Sequence, residues 1–228
     1  MDDLASRLAD VDARISDAAR AAGRDPSELT RIVVTKFHPA ALISELYALG
    51  VRDVGENRQQ ELTAKRAELG RLAGVRWHFI GQAQTNKARA VRAAADVVHS
   101  VDRQRIADAL HAASGEDERV LDVLLQVNLT DDPARGGVAP DELESLAEYT
   151  AGLSSLRVRG LMAVAPLEEA PAAAFARLAD YSVRLRTVVP DAGWISAGMT
   201  ADFTEAIAAG ATHLRIGSAI TGQRPPRG

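Results

Sequence analysis

Residues 193–220 read GWISAGMTADFTEAIAAGATHLRIGSAI, and this stretch holds two short apolar runs separated by an alanine-rich segment. The runs at 193–199 and 213–220 have the composition of strands, whereas ADFTEAIAAG between them has helical character. A strand followed by a helix and a second strand is typical of a parallel β–α–β unit. The stretch therefore predicts two parallel strands joined by a helical crossover.

The same alternation extends back through most of the chain. Six earlier apolar runs, separated by segments rich in Ala, Leu, Arg and Glu, lie at 31–36, 51–56, 77–82, 97–102, 120–129 and 158–164. Their nearly continuous apolar character fits a parallel sheet that is covered on both faces. Before them, apolar residues at helical spacing predict an additional amphipathic helix over 2–22.

Eight such units predict an α/β fold, a (β/α)8 TIM barrel with an extra N-terminal helix. A chain of 228 residues is at the short end for this barrel. A doubly wound sheet is the alternative, but it usually has fewer strands, and no G-x-G-x-x-G motif follows the first run. No Pro/Gly-rich linker interrupts the chain, so residues 1–228 are predicted to form one domain with a frayed end at GQRPPRG.

The composition excludes several classes of function. The net charge of −4 gives no reason to expect nucleic-acid binding, and the lack of cysteine excludes disulfides and thiolate chemistry. His99, His111 and His213 lack neighbouring ligands at metal-binding spacing, so no metal is expected. His78, between two aromatic residues, is expected to be a core histidine. Without a signal peptide or an apolar run of membrane length, a cytoplasmic location is expected.

The first apolar run, in RIVVTKFHP (residues 31–39), ends in Lys36. Functional residues of a barrel lie at the C-terminal ends of its strands, so this amine is expected to face the barrel mouth. Considered alone, a lysine at a strand end more commonly extends to solvent. Enclosed by apolar neighbours, however, it becomes an amine nucleophile, and the natural use of such an amine is a Schiff base with a carbonyl compound.

The last two runs end mostly in small and hydroxyl-bearing residues. The candidates there are Ser196, Gly198, Met199, Thr200, Gly217 and Ser218. Phosphate sites in barrels are commonly built at this position, because glycines let the backbone approach and hydroxyl and N–H groups donate hydrogen bonds. The alternative is that Thr200 caps a helix and the glycines only form turns.

A Schiff-base lysine together with a phosphate site suggests pyridoxal 5'-phosphate (PLP), a cofactor that has both an aldehyde and a phosphate. Arg215 is informative in that setting. An arginine opposite the pyridine nitrogen would leave this nitrogen unprotonated and would weaken the ring as an electron sink. The alternative for Arg215 is an ion pair at the surface or at an interface.

Seven segments in this order resemble those of the pyridoxal phosphate homeostasis proteins, relatives of the N-terminal barrel of alanine racemase. The segments are VVTKFHP, VGENRQQE, WHFIGQAQTNK, HSVDR, QVNLTDDPARGGV, RGLMAVAP and SAGMTADFTEAIAAGATHLRIGSAI. The resemblance implies that Lys36 carries PLP as an internal aldimine and that Arg215 contacts its pyridine nitrogen. It also implies that these six residues at the ends of the last two runs hold the phosphate and that Asn57 and Met162 line the pocket.

Three positions depart from the family pattern. Arg58 stands where relatives usually have Tyr, His38 where a Lys is common, and Arg135 where many relatives have Lys. Arg135 keeps the charge but not a transferable amine. None of these departures touches Lys36 or the phosphate segments.

The favoured function is non-catalytic PLP binding in PLP homeostasis, by a monomer that exchanges the cofactor with apo PLP-dependent enzymes. An amino-acid racemase is the alternative, and racemisation requires acid and base groups on both faces of the α-carbon. In alanine racemase the opposite-face tyrosine comes from a C-terminal domain of the partner subunit, which is expected to be absent here. The three tyrosines, Tyr47, Tyr149 and Tyr181, fall in predicted helices. A Schiff-base aldolase is a third hypothesis, although the sixth run offers Met162 where such enzymes commonly carry lysine.

Overall fold

Eight parallel strands close into a barrel in the computed structural model, which describes residues 3–70, 72–115, 119–132 and 134–223. The strands are β1 (Thr30–Val34), β2 (Asp53–Glu56), β3 (Arg76–Phe79), β4 (Val97–Val101), β5 (Leu121–Gln126), β6 (Leu156–Met162), β7 (Trp194–Ser196) and β8 (His213–Ile216). Each strand pairs with the next, and β8 pairs with β1. Because this last pairing closes the sheet, the predicted barrel is confirmed and the doubly wound alternative is wrong.

Helices precede, connect and follow the strands, as the alternating sequence predicts. They are α1 (Leu4–Ala21), α2 (Ala40–Ala48), α3 (Gln59–Leu69), α4 (Ala88–Ala94), α5 (Gln104–Ala112), α6 (Leu143–Ala151), α7 (Pro171–Val188), α8 (Phe203–Ala208) and α9 (Ser218–Thr221). Their buried apolar faces and those of the strands form the main hydrophobic core. None of the helices described by the structure combines the length and the apolarity that crossing a membrane requires.

The extra N-terminal helix predicted for residues 2–22 is α1. Asp3 caps it, because its carboxylate accepts a hydrogen bond of 2.8 Å from the Ser6 N–H. Leu8, Val11 and Ile15 form its buried face, and the helix packs on α8 and α9. The helical spacing of these apolar residues is therefore explained by contact with the last units of the barrel.

All strands except β2 end earlier than the sequence predicts, and β1 and β8 show the reason. β1 stops at Val34, because Lys36 and Phe37 form a turn in which Phe37 has a φ of 70°. β8 stops at Ile216, because Gly217 leaves the extended conformation (φ −109°, ψ −103°) and α9 begins at the next residue. A turn in the backbone therefore follows both strands. The predicted frayed end at 222–228 lies mostly outside the described residues, and one domain over 1–228 stays a prediction.

The barrel interior contains polar side chains as well as apolar ones. His78, His99, Ser196 and Arg215 are each at most 5% exposed. The hydrogen bond between His99 on β4 and Ser196 on β7 crosses the interior, since these strands are not neighbours. The prediction of a core histidine at position 78 is confirmed. Buried polar groups are costly unless they are paired, so the partners of these four residues matter.

Candidate cofactor-binding site

Two turns lie side by side at the C-terminal ends of β1 and β8. A Cβ atom added to Gly217 would lie 3.7 Å from the Cβ of Val34, the last residue of β1. Lys36 is two residues beyond Val34, and its Nζ lies 5.9 Å from the centre of the Phe37 ring. The pairing of β1 with β8 therefore brings the turn of Lys36 beside Gly217. The expectation that apolar neighbours enclose Lys36 is wrong, because its side chain is exposed.

Arg215 is buried in the barrel and is held by three hydrogen bonds. Its Nη1 donates to the carbonyl oxygen of Ser196 at 2.6 Å and to Ser196 Oγ at 2.7 Å, and its Nη2 donates to the carbonyl oxygen of Ala163 at 2.8 Å. Burial lowers the pKa of Arg215 to about 10, which leaves it a cation at neutral pH. The alternative of a surface ion pair is wrong for this arginine. Its guanidinium is a fixed, positively charged donor inside the barrel.

The segment after β7 holds donors for an anion. Gly198 has a φ of 89°, and a Cβ there would lie 2.8 Å from Ala206 Cβ, so only glycine suits this turn. The Met199 N–H donates to Asp202 Oδ1 at 2.6 Å, whereas the Thr200 N–H has no acceptor among the described residues. Thr200 does not cap α8, because Asp202 is the residue that precedes this helix.

The segment after β8, like the segment after β7, holds hydrogen-bond donors. The N–H groups of Ser218 and Ala219 have no acceptor in the part of the chain that the structure describes, and Ser218 is exposed. A Cβ on Gly217 would meet only Val34, at ordinary contact distances. The two segments together therefore offer free backbone N–H groups and the hydroxyl groups of Thr200 and Ser218.

Asn57 and Met162 lie at the ends of two other strands, β2 and β6. Asn57 follows β2, and its Oδ1 is buried without a hydrogen-bond partner among the described residues. Such an atom fits a place where a ligand completes the site. Met162 ends β6, is buried, and packs against Val97 and Leu124 inside the barrel. Its register pairing with Ser196 places it next to the residue that holds Arg215.

A directed chain of hydrogen bonds leads from Arg215 to Asp53 at the start of β2. The Asp53 carboxylate can only accept, so His78 donates to it from Nε2 at 2.9 Å. A neutral His78 then accepts at Nδ1 from His99 Nε2 at 2.9 Å, and His99 Nδ1 accepts from Ser196 Oγ at 2.9 Å. Ser196 Oγ in turn accepts from Arg215. Sequence reasoning missed this chain, which sets the orientation of the Ser196 hydroxyl group.

Burial keeps these histidines neutral. It lowers the pKa of His78, against the opposing effect of Asp53. It also lowers the pKa of His99 well below its usual value, and the nearby His78, His213 and Arg215 add to this effect. Neutral rings can donate and accept at once, which the chain from Ser196 to Asp53 requires.

Acid should weaken the fold measurably through His213. Burial is the main cause that lowers the pKa of His213 to about 3, and the positive charge of Arg76 adds to it. Between that value and about 6.5, the unfolded chain binds a proton that the folded protein does not, so the free energy of unfolding falls as the pH falls. From pH 6 to pH 5, wild type should lose about 1 kcal/mol more than His213→Phe. Urea denaturation of both proteins at the two pH values measures this difference, and equal losses would contradict it.

The three positions that depart from the family pattern lie at the barrel mouth. The Arg58 guanidinium lies 5.0 Å from the centre of the Phe37 ring, so it covers the turn of Lys36. Burial lowers the pKa of His38, and the charge of Lys65 adds to this effect. Arg135 lines a groove of about 600 Å³ that also borders Met199 and is separate from Lys36.

The residues present fit PLP. A phosphate group is an acceptor, and the segments after β7 and β8 supply donors for it. Lys36 is an exposed amine beside the second of these segments, and Arg215 is a buried cation beneath them. The unpartnered Oδ1 of Asn57 leaves a further polar contact open.

Comparisons with known proteins agree with this fit. The family model of the alanine racemase N-terminal domain matches residues 7–225. A Pseudomonas aeruginosa protein named pyridoxal phosphate homeostasis protein is 44% identical, over 98% of this chain and 97% of its own. PipY of Synechococcus elongatus is 36% identical, and the match covers 96% of this chain and all of the PipY chain. Its structures without and with PLP bound give TM-scores of 0.87 and 0.84.

The sequence match and the closed barrel agree over nearly the whole chain. The expected resemblance is confirmed, since one family model and full-length relatives both support it. The chain belongs to the pyridoxal phosphate homeostasis protein family, whose barrel is that of the N-terminal domain of alanine racemase.

Proposed function

We propose that this protein binds PLP reversibly at its barrel mouth and takes part in PLP homeostasis without catalytic turnover. The pairing of β1 with β8 carries this proposal, because it unites an exposed lysine with donors for a phosphate group. A relative at 36% identity has a structure with PLP bound, which supports the choice of cofactor. When bound, PLP would supply an aldehyde for amines and a ring that withdraws electrons.

Each residue of the proposed site has a role suited to its chemistry. The Lys36 amine would form a Schiff base with the aldehyde of PLP. Arg215, held by Ser196 and Ala163, would donate to the pyridine nitrogen and leave that nitrogen unprotonated. The phosphate would bind the backbone and hydroxyl groups of Gly198, Thr200, Gly217 and Ser218, with Met199 beside them. Ser196, predicted with these residues, instead holds Arg215 from inside the barrel. Asn57 and Met162 would line the pocket.

Lys36 is the amine best suited to this role. The chain has three lysines, Lys36, Lys65 and Lys87. Lys65 is buried, and its Nζ already contacts Glu56 Oε1 at 2.6 Å and the Thr35 carbonyl oxygen at 2.8 Å. Lys87 lies after β3, in the short helical segment Thr85–Lys87. Only Lys36 lies beside the segment after β8.

The positions of the tyrosines support a carrier rather than a racemase. Racemisation requires a second proton-transferring group on the face of the substrate opposite the lysine. Tyr47, Tyr149 and Tyr181 lie on the outer helices α2, α6 and α7, and the Tyr149 hydroxyl group donates to Asp108. The buried histidines are bound to each other within the barrel. A Schiff-base aldolase with its lysine at the end of β6 does not fit, because Met162 ends that strand.

An open mouth supports exchange of the cofactor. Lys36 and Ser218 are exposed, and the groove beside Met199 is also bordered by the exposed Leu167. We propose that PLP passes from here to solvent and to apo PLP-dependent enzymes, and that the carrier is a monomer. PLP that stays bound for hours in the presence of an apo-enzyme would count strongly against this role.

The test is spectroscopic. Protein incubated with PLP should turn yellow, and reduction with borohydride followed by peptide mass mapping should place the pyridoxyl group on Lys36. A colourless protein, or an adduct on another lysine, would contradict the proposed site. An assay that interconverts L- and D-alanine then separates carrier from racemase, and turnover at enzymatic rates would favour the racemase.

A further inference from the structure

The turn that holds Lys36 has an unusual backbone. Phe37, the next residue, has a φ of 70°, and among the described residues it is the non-glycine residue with a positive φ. A bulky side chain disfavours this left-handed conformation. Residues in such conformations persist when the surrounding structure holds them, and they cluster at functional sites.

Charged side chains of α3 hold the two peptide groups on either side of Lys36. The Phe37 N–H, in the peptide group after Lys36, donates to Glu61 Oε2 at 2.7 Å. The Thr35 carbonyl oxygen, in the peptide group before Lys36, accepts from Lys65 Nζ at 2.8 Å. Neither contact involves the Lys36 side chain, whose Nζ has no hydrogen bond or ion pair with the described residues.

A buried carboxylate completes this cluster. Glu56, at the end of β2, is fully buried, and its Oε1 lies 2.6 Å from Lys65 Nζ and accepts from Thr35 Oγ1 at 2.6 Å. Burial raises the pKa of Glu56, against the opposing charge of Lys65. Lys65 Nζ also lies 3.6 Å from Glu61 Oε2, so the lysine links both carboxylates.

A buried ion cluster is a poor way to stabilise a fold. Packed apolar residues of similar volume commonly serve stability equally well, because charges lose their hydration on burial. Ionic groups do, however, fix one geometry of the groups they contact. Here the groups that they contact are the backbone atoms next to Lys36.

We propose that Glu61, Lys65 and Glu56 are positioning residues that preset the turn of Lys36 for attack on the aldehyde of its ligand. This inference rests on the proposed function and adds the device that orients the amine. In the step that they serve, the unprotonated Lys36 Nζ bonds to the aldehyde carbon, and the aldehyde oxygen leaves as water when the C=N bond forms. The reacting atoms must approach to about 3 Å, and misplacement by about 1 Å lowers rates strongly.

Two variants of Glu61 separate this role from general stability. Glu61→Gln keeps an oxygen that can accept the Phe37 N–H, whereas Glu61→Leu removes it. Glu68→Leu is the matched control, because Glu68 is exposed on the same helix. In the unloaded protein, the Phe37 amide should exchange its hydrogen faster in Glu61→Leu than in wild type, Glu61→Gln or Glu68→Leu.

Ligand binding provides the second measurement. Pyridoxamine 5'-phosphate has no aldehyde and cannot bond covalently to Lys36, so its affinity reports on the rest of the site. Glu61→Leu should slow covalent capture of PLP by about tenfold to 100-fold. It should leave the affinity for pyridoxamine 5'-phosphate within about twofold of wild type, and Glu61→Gln should restore most of the capture rate.

The outcomes are distinct. Equal losses for both ligands, or no change in either, would overturn the positioning role of Glu61. Wild-type protein that never bonds PLP at Lys36 would instead overturn the proposed function. Lys65→Met tests the other contact and should also slow capture selectively. Lys65→Met leaves the buried charge of Glu56 without its partner and could prevent folding. In that case the double variant Glu56→Gln/Lys65→Met replaces it in the experiment. Capture of PLP at the wild-type rate by either variant would contradict a role for Lys65.

Discussion

Lys36→Ala is expected to abolish covalent capture of PLP while a weaker, non-covalent complex remains. The variant removes the amine, but it leaves Arg215 and the donors after β7 and β8 in place. Affinity for PLP should fall by about 100-fold, which corresponds to about 2.8 kcal/mol. Absorbance titration and borohydride reduction measure the loss of the bond, and a titration with pyridoxamine 5'-phosphate measures the rest of the site.

Lys87→Ala is the control for this experiment. Lys87 is another of the three lysines of the chain, and it lies in the connection between β3 and α4. It should keep the absorption spectrum and the adduct of wild type. A Lys36→Ala spectrum that matches wild type would show that the wrong amine has been assigned. If only Lys87→Ala lost the absorbance of bound PLP, the site would have to be assigned to the barrel mouth beside β3.

Gly160→Ala should prevent folding or cost at least about 4 kcal/mol, among the largest effects of a single substitution. Gly160 lies in β6 opposite Trp194 of β7. A Cβ on Gly160 would lie 1.8 Å from the carbonyl oxygen and 2.7 Å from the nitrogen of Trp194. Both are backbone atoms of the neighbouring strand, so the clash can be relieved only by separating β6 from β7.

Gly193→Ala is the matched control, since it lies directly before β7 and a Cβ there meets no atom within 4 Å. Its free energy of unfolding should stay within about 1 kcal/mol of wild type. Urea denaturation followed by circular dichroism compares the two variants. A Gly160→Ala protein as stable as Gly193→Ala would mean that the close contact between β6 and β7 is absent in solution.

The architecture could be predicted because its signals are local. Each strand is an apolar run, each helix has its own periodicity, and the count of eight units indicates a barrel. The ends of β1 and β8 could not be predicted equally well. They depend on the backbone angles of Phe37 and Gly217, and neighbouring elements hold these angles in place.

The residues proposed to contact the cofactor could be predicted from the sequence, but the residues that hold them in position could not. Lys36, Arg215 and the segments around Gly198 and Gly217 stand at strand ends, where a barrel places its chemistry. The contacts of Glu61 and Lys65 with the turn of Lys36 were missed. Nothing in the spacing of an acidic and a basic residue on α3 separates them from an ordinary surface pair, since such pairs are common on helices.

The amino-acid sequence by itself determined the order of strands and helices and the residue types at the strand ends, because these follow from neighbours along the chain. It also singled out Lys36 as the amine proposed for the site. Only the tertiary structure decided which polar groups meet. His99 reaches Ser196 across 97 positions of the chain, and Lys65 reaches Thr35 across 30. Such contacts arise when the barrel closes, and burial then makes each of these hydrogen bonds necessary.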